Sequence, residues 1–588
     1  MNNTITAAVF RVGDGSGPPT GNNQVTFGSG TNVINADTVN VGSASTSSIR
    51  SGGKLVFDGS DTTGTLKIRN STGGETTRAA INLINTTGNT GSSMESVVDF
   101  TGHVVDIRAS TLTMAARGVG AGNATATWTS NEGLLDVTTW NMAIRSGTGT
   151  GTSTATVNLG DGVGHGTPTT NIGTLTMASI TGSGAGSIAD FNVTGGNVNI
   201  GTGTGTAINM ANAASGRTAT STIDLSGGNV SVTGNIARTA GGGTESATIT
   251  LFGANLNMNG KTIGTAANTI TFVAESGVLQ NLAELNGGGA LQKTTSGTLT
   301  MLGSNTYTGA TNVTAGVVTV NGSTGTGLTT VSGGAVLNGG VGASAGTVGG
   351  GLAVNGTFSA GSGSGAAGNG VGALNVAGAA AWNANANMVF DFAAVSGNQT
   401  GTEVNVGTNW DYLTIGGGLN LALTPGQQIN LYINSWDGVL GYGVNNNPGD
   451  VNEFNKDAAV TGDSHGGQLY TYTWKWLTAN MLQINGGAAL TGDQDLSQYF
   501  NVHVSTVDTT FGNGVFTAGS YGSPNLTGGH FWVSSVDNNL FINYSAVPEP
   551  GSMLMIGVAG LAFAGYRRRL RRAAAQAADE QPQDAANS

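Results

Sequence analysis

Apolar and polar positions alternate in short runs through the first 285 residues. Val105-Asp106-Ile107, Leu135-Asp136-Val137, Leu175-Thr176-Met177, Val198-Asn199-Ile200, Val230-Ser231-Val232 and Leu256-Asn257-Met258 each put apolar residues at the ends and a polar one between, separated by Gly, Ser, Thr and Asn. A period of two predicts strands with one face buried. SIADFNVTGGNVNI (187–200) and STIDLSGGNVSV (221–232) show a fuller unit: an alternating strand, a Gly-Gly turn and a second alternating strand. One such unit cannot enclose a core, so neighbours must stack, and residues 1–286 are predicted to form an irregular β-solenoid. Ile and Val would point inward and Asp, Asn, Thr and Ser outward, with turn asparagines placed to form ladders between units. Tandem β-sandwiches would alternate in the same way, but they need longer loops and more buried aromatics. Only Trp128 and Trp140 among the tryptophans precede position 380.

The pattern changes twice downstream. Residues 324–379 are Gly/Ala-rich; the alternations LAVNGTF and ALNVAG inside them predict thin continuing units instead of a flexible linker. Beyond 380 the aromatics gather: Trp382, Trp410, Trp436, Trp474, Trp476 and Trp532 all lie there. Runs such as WDYLTIGGGLNLALTPGQQINLYINSW (410–436) predict strands that can bury a larger core. A solenoid end needs cover against edge-to-edge pairing, so 380–546 is predicted to be a terminal β cap. A carbohydrate-binding sandwich with exposed Trp platforms is the alternative for this region.

Two segments resemble known families. GGGALQKTTSGTLTMLGSNTYTGATNVTAGVVTVNGS (287–323) has Gly289, Leu291, Lys293, Gly297, Leu299, Gly303, Asn305, Tyr307, Gly309, Thr311, Val313 and Gly316 at fixed spacings. It resembles the autotransporter-associated β-strand repeat, with Thr295 in place of a usual Gly and Met301 in place of a usual Leu. The resemblance implies a coil of a right-handed parallel β-helix. Leu291, Leu299 and Met301 would then point inward, Gly303 and Gly309 would allow positive φ, and Tyr307 would close the core at a corner. Lys293 and Tyr307 read as structural residues.

At the C-terminal end, Val547-Pro548-Glu549-Pro550 precedes the uncharged run 551–566, and Arg567, Arg568 and Arg569 follow it, with Arg571 and Arg572 close behind. Sixteen helical residues would span about 24 Å, less than the roughly 30 Å hydrocarbon core of a bilayer, so the run is a short transmembrane helix at best. Arginines on one side would orient it by the positive-inside rule. The arrangement over 547–572 resembles the PEP-CTERM sorting signal, apart from the polar extension 573–588. The resemblance implies processing near Pro548-Glu549-Pro550 by an exosortase, a membrane protease-transpeptidase, after transient anchoring in the inner membrane. An exported chain should open with an apolar leader, yet MNNTITAAVFRVGDG has only Ala7 to Phe10 as an apolar run, so the expected true start lies upstream.

Composition narrows the chemistry. Of 588 residues 101 are Gly and 9 are Pro, 38% are hydrophobic and 9% charged, so the chain can bury surface instead of remaining disordered. A net charge of −12 disfavours nucleic acid as a partner, and the absence of cysteine removes disulfides, Cys-based zinc sites and thiol nucleophiles. His103, His165, His465, His503 and His530 show no metal-binding spacing, and DVNEFNKD (450–457) carries Phe454 where a calcium loop needs a ligand. A lyase or hydrolase on a β-helix would need clustered carboxylates with an Arg or Lys, for which Asp99, Asp106 and Asp136 are candidates. No catalytic, cofactor or metal residues are assigned. The expected role is that of an exported structural protein, a surface adhesin or scaffold in contact with an envelope or extracellular polysaccharide matrix. A polysaccharide-cleaving β-helix and an autotransporter passenger are the alternatives. The passenger is disfavoured because no series of amphipathic barrel strands follows.

Overall fold

The computed structural model describes residues 2–13, 23–42, 52–60, 63–86, 93–160, 167–340, 342–361, 370–392, 410–435, 464–465, 468–469, 472–505, 521–522 and 530–545. Among them the chain is strand and turn, apart from the single 3-10 turn Ser497–Tyr499. No helix of the described residues is long and apolar enough to cross a membrane. The run 551–566, expected as a short transmembrane helix, lies outside them, as do the sorting-signal residues and 573–588.

Strands pair parallel and in register with strands further along the chain, and three ladders carry most of residues 52–285. One joins Gly53–Phe57, Met94–Asp99, Ala124–Ser130, Thr152–Leu159 and the first parts of Gly186–Ile200, Thr218–Val232 and Thr244–Ile263. A second joins Thr65–Arg69, the first parts of Val104–Arg117, Gly133–Arg145 and Thr169–Ile180, and the last part of Gly186–Ile200. The third joins Ala79–Thr86, the second parts of Val104–Arg117, Gly133–Arg145 and Thr169–Ile180, then Thr206–Ala213 and Asn235–Arg238. Long strands bend and serve two ladders. Through Gly186–Ile200, Thr218–Val232 and Thr244–Ile263 the pairings return on themselves as a closed ring of six parallel strands. The structure is therefore all-β and parallel over this span, and the pairing describes a closed parallel ring with added strands as readily as the expected right-handed helix of coils.

The register corrects the reading of the triplets as one repeat. Val198-Asn199-Ile200, Val230-Ser231-Val232 and Leu256-Asn257 do align. Leu135-Asp136-Val137, however, faces Thr170-Asn171-Ile172, while Leu175-Thr176-Met177 belongs to another ladder, opposite Trp140-Asn141-Met142. Period-two alternation marks a strand but not the ladder it joins.

That third ladder contains a column the alternation conceals. Met114, Met142, Met177 and Met210 stack in register, each buried, and each is followed by an alanine in the left-handed region: Ala115 (φ 53), Ala143 (φ 54), Ala178 (φ 49) and Ala211 (φ 47). Ile84 (φ 57) starts the column. A side chain at positive φ is strained. The corner keeps alanine because the site is fully buried and its Cβ packs in the core.

Aromatics from the first ladder and its flanks meet Trp140 of the third in the interior. Phe27, Phe57, Phe100, Trp128, Trp140 and Phe191 form a continuous column with successive centroid distances of 5.3, 6.0, 5.6, 6.2 and 5.8 Å, mostly edge-on or tilted. Outside, asparagines bond from unit to unit as expected: Asn229 Nδ2 to Asn197 Oδ1 at 3.1 Å, Asn255 Nδ2 to Asn229 Oδ1 at 3.3 Å, and Gln280 Nε2 to Asn255 Oδ1 at 2.7 Å.

From 291 onward the units shorten. One ladder runs Leu291–Lys293, Thr311–Val313, Thr329–Val331, Leu352–Val354, Ala380–Asn383, Tyr412–Ala422 and Tyr472–Ile484. A second runs Thr298–Leu302, Val317–Val320, Val336–Gly339, Thr357–Ser359, Asn387–Phe392, Ile429–Ser435 and Phe500–Ser505. Leu291, Leu299, Met301 and Tyr307 are fully buried, and the Tyr307 hydroxyl lies 2.7 Å from Thr311 Oγ1. Gly303 has the expected positive φ of 59°. Gly309 does not; it is glycine because a Cβ there would lie 2.0 Å from the Gly289 carbonyl oxygen of the adjacent unit. Parallel pairing then stops. Tyr472–Ile484 pairs antiparallel with Asn539–Ser545, which pairs antiparallel with His530–Val536.

Truncating Phe191 to Ala removes a link from the aromatic column and should cost about 3–5 kcal/mol, read as a lower urea midpoint at unchanged slope. Ala178→Val places a β-branched side chain at positive φ in a full core; it should destabilise by at least about 2 kcal/mol, measured in the same titration.

Candidate functional site

Charged residues are scarce, so where they gather is informative. The densest group sits on the second ladder and its flanks. Lys67 and Arg69 leave Thr65–Arg69, Asp106 and Arg108 leave Val104–Arg117, Asp136 leaves Gly133–Arg145, and Glu75 and Arg78 come from the turn before Ala79–Thr86. Strand alternation puts residues 67, 106, 108 and 136 on one outward face. Arg69 is buried, its Nη2 donating to Asp106 Oδ2 at 2.6 Å, its Nη1 to the Asp106 carbonyl at 2.8 Å and its Nε to the Glu75 carbonyl at 3.0 Å. Asp136 Oδ2 accepts from Arg78 at 2.7 Å and from Arg108 at 3.0 Å. The structure thus brings Asp106 and Asp136 into one cluster, as a catalytic reading would require, but each carboxylate is already held by a guanidinium. Asp99 lies on the first ladder instead, its Oδ1 accepting from Thr101 N (3.1 Å) and Thr101 Oγ1 (2.7 Å). The chemistry of the cluster is cross-strand clamping: charge-assisted bonds tie strands of three successive units.

A second group escaped the sequence reading because it is assembled from separate units. Asp391 and Asp411 are both fully buried. Asp411 Oδ1 accepts from Gly372 N at 2.9 Å, and its Oδ2 accepts from Asp391 N at 3.2 Å and Ser359 Oγ at 3.3 Å. Burial, reinforced by the neighbouring Asp391, holds the Asp411 carboxyl well above the usual carboxylate range. Glu284 behaves oppositely. Burial pushes it upward, but bonds from Thr308 Oγ1 (2.7 Å), Leu285 N (2.9 Å) and Gly288 N (3.2 Å), with Thr308 N adding a fourth, outweigh that and leave it lowered. Lys293 is fully buried, and its ammonium donates to the Thr295 carbonyl, with Thr295 Oγ1 at 3.3 Å and the Ala315 carbonyl at 3.4 Å. Burial lowers its pKa.

Among the described residues no three of His, Asp and Glu are grouped to hold a metal ion. His103 is buried and stacks on Phe57 at 3.9 Å, and His503 stacks on Tyr432 at 4.7 Å. His165 and the segment 450–457 lie outside the described residues. Trp382, Trp410, Trp474, Trp476 and Trp532 are each 2% exposed or less. They pack the core, so they are not the exposed platforms that a carbohydrate-binding sandwich would present; Trp436 lies outside the described residues.

The functional address of the chain is at its C-terminal end. The family model of the PEP-CTERM protein-sorting motif matches residues 546–569, a span that takes in Val547, Pro548, Glu549, Pro550, the apolar run, Arg567, Arg568 and Arg569. The chain therefore carries this motif, which implies sorting by an exosortase to the cell surface or extracellular space. No curated protein matches the chain.

The two perturbed carboxyls have opposite pH signatures. The lowered Glu284 contributes stability that is present above the ordinary carboxylate range and lost as pH falls through its folded pKa. Glu284→Gln should therefore cost about 1–2 kcal/mol at pH 7 and much less near pH 3. The raised Asp411 contributes stability that is full below the ordinary range and lost as pH rises through its folded pKa. Asp411→Asn should raise the melting temperature at pH 8 and leave it nearly unchanged near pH 3. Thermal melts by circular dichroism at both pH values check both variants.

Proposed function

We propose that the chain is an exported structural protein of the cell surface or extracellular matrix, a scaffold or adhesin delivered through its C-terminal motif. The match over 546–569 carries this reading. In it, residues 551–566 anchor the chain transiently in the inner membrane and an exosortase processes it near Pro548-Glu549-Pro550. The three ladders are faces of a right-handed β-solenoid, and 287–323 is one coil of the autotransporter-associated type. The antiparallel strands at the far end act as its cap. Three features support a structural role over a catalytic one: the carboxylates of the charged cluster are ion-paired, the aromatic side chains are packed inside, and the outward faces are rows of Thr and Asn suited to a hydrated polysaccharide matrix.

The test is expression of the full chain, behind a secretion leader, in hosts with and without an exosortase, followed by intact-mass analysis of the envelope and medium fractions. With the enzyme, the exported form should lack residues C-terminal to the Pro-Glu-Pro region; Glu549→Ala or loss of the enzyme should leave the full-length chain in the inner membrane. Retention of 551–588 on the exported protein would refute processing.

A further inference from the structure

We propose that Arg145, with Arg117 beside it in register, holds a small inorganic anion of chloride size inside the Gly-rich corner of the ladders. Arg145 ends Gly133–Arg145 and is fully buried. Its Nη2 donates to the Gly120 carbonyl at 2.6 Å, but its Nε and Nη1 have no acceptor. Among the described residues no carboxylate lies within ion-pair distance of it. Arg117 is its register partner in the preceding unit, is 2% exposed, and donates from Nη1 to the Asn123 carbonyl at 3.2 Å. Two arginines on neighbouring strands are thus buried side by side. Burial and then the charge of Arg145 pull the pKa of Arg117 down to about 10.

The fold shows what a neutralised internal arginine looks like. Arg69 is equally buried, and it meets the carboxylate of Asp106 and three carbonyls. Arg145 has one carbonyl. A buried cation with unmet donors is a strongly unfavourable arrangement unless an anion accompanies it.

The surroundings close tightly around this group. Three stacked loops share a G-x-G-x-G pattern: Gly118 to Gly122, Gly147 to Gly151 and Gly182 to Gly186. A Cβ on Gly149 would come within 2.6 Å of Arg145 Nη2, and one on Gly184 within 2.0 Å of Nε. Glycine at both positions lets the loops close over the guanidinium while Nε and Nη1 stay without an acceptor. Complete enclosure selects a small monovalent ion over phosphate, whose desolvation cost is larger.

The test is thermal unfolding of the full chain in a chloride series at constant ionic strength, balanced with a bulky organic anion. The wild-type midpoint should rise by about 1–3 °C and saturate, and Arg145→Met should show no such rise. Should that variant fail to fold, crystals of the unaltered protein soaked in bromide should show an anomalous peak within hydrogen-bonding distance of Arg145. Equal chloride responses in both proteins, or bromide density absent from Arg145, would overturn the proposal.

Discussion

Everything in this molecule depends on parallel, in-register hydrogen bonding between one unit and the next. Apart from the antiparallel strands at the far end, a strand here is paired not with its sequence neighbour across a tight hairpin but with its equivalent in the next unit, as when Asn229 faces Asn197 and Asn255 faces Asn229. Such pairing puts like residues over like. Aromatics then meet aromatics, methionines meet methionines, and asparagine amides meet asparagine carbonyls along the same direction as the backbone bonds. Side-chain ladders and backbone ladders therefore reinforce each other, which lets a chain without cysteine and with few charged residues hold its shape.

The same constraint explains where charge is allowed. Stacked like charges repel, so ionisable residues survive mainly where the register offsets opposite signs. Lys67 faces Asp106, and Asp136 faces Arg108. Arg145 over Arg117 breaks that rule inside the core, and Asp391 lies beside Asp411 without register pairing. These are the positions at which packing alone does not account for the residue chosen.

Much of the strand content was legible in the sequence, because alternation reports directly on a strand with one face buried. The inward set at 287–323 followed from the resemblance of that segment to a known repeat, and the Asn ladders followed from their recurrence beside Gly-Gly turns. The ladder assignment was not legible: Leu135-Asp136-Val137 and Leu175-Thr176-Met177 look alike as strings yet sit on different faces, since nothing local reports how many residues the intervening corner consumes. The recurring Met-Ala dipeptides at 114, 142, 177 and 210 stand in the sequence without marking the corner, because alanine in a left-handed conformation has no propensity signal. Asp391 and Asp411 stayed hidden for a related reason, since their meeting is made by stacking and not by sequence proximity. The sorting motif, by contrast, is read as a linear string, and it was plain from Pro548, Glu549, Pro550 and the arginines alone.

The left-handed alanine column sets how such a chain can change length. Four successive units pass this corner with the same backbone conformation and the same two side chains, so an extra residue inserted there would break the column. Residues between one Met-Ala pair and the next range from 28 to 35 in step, as from Ala115 to Ala143 and from Ala143 to Ala178, with the variation taken up in the loops elsewhere. The corner acts as a joint of fixed form between segments of free length. A whole segment taken from one joint to the next is thus the natural quantum of gain or loss, so the ladders can grow or shrink by duplication while each surviving interface stays the same.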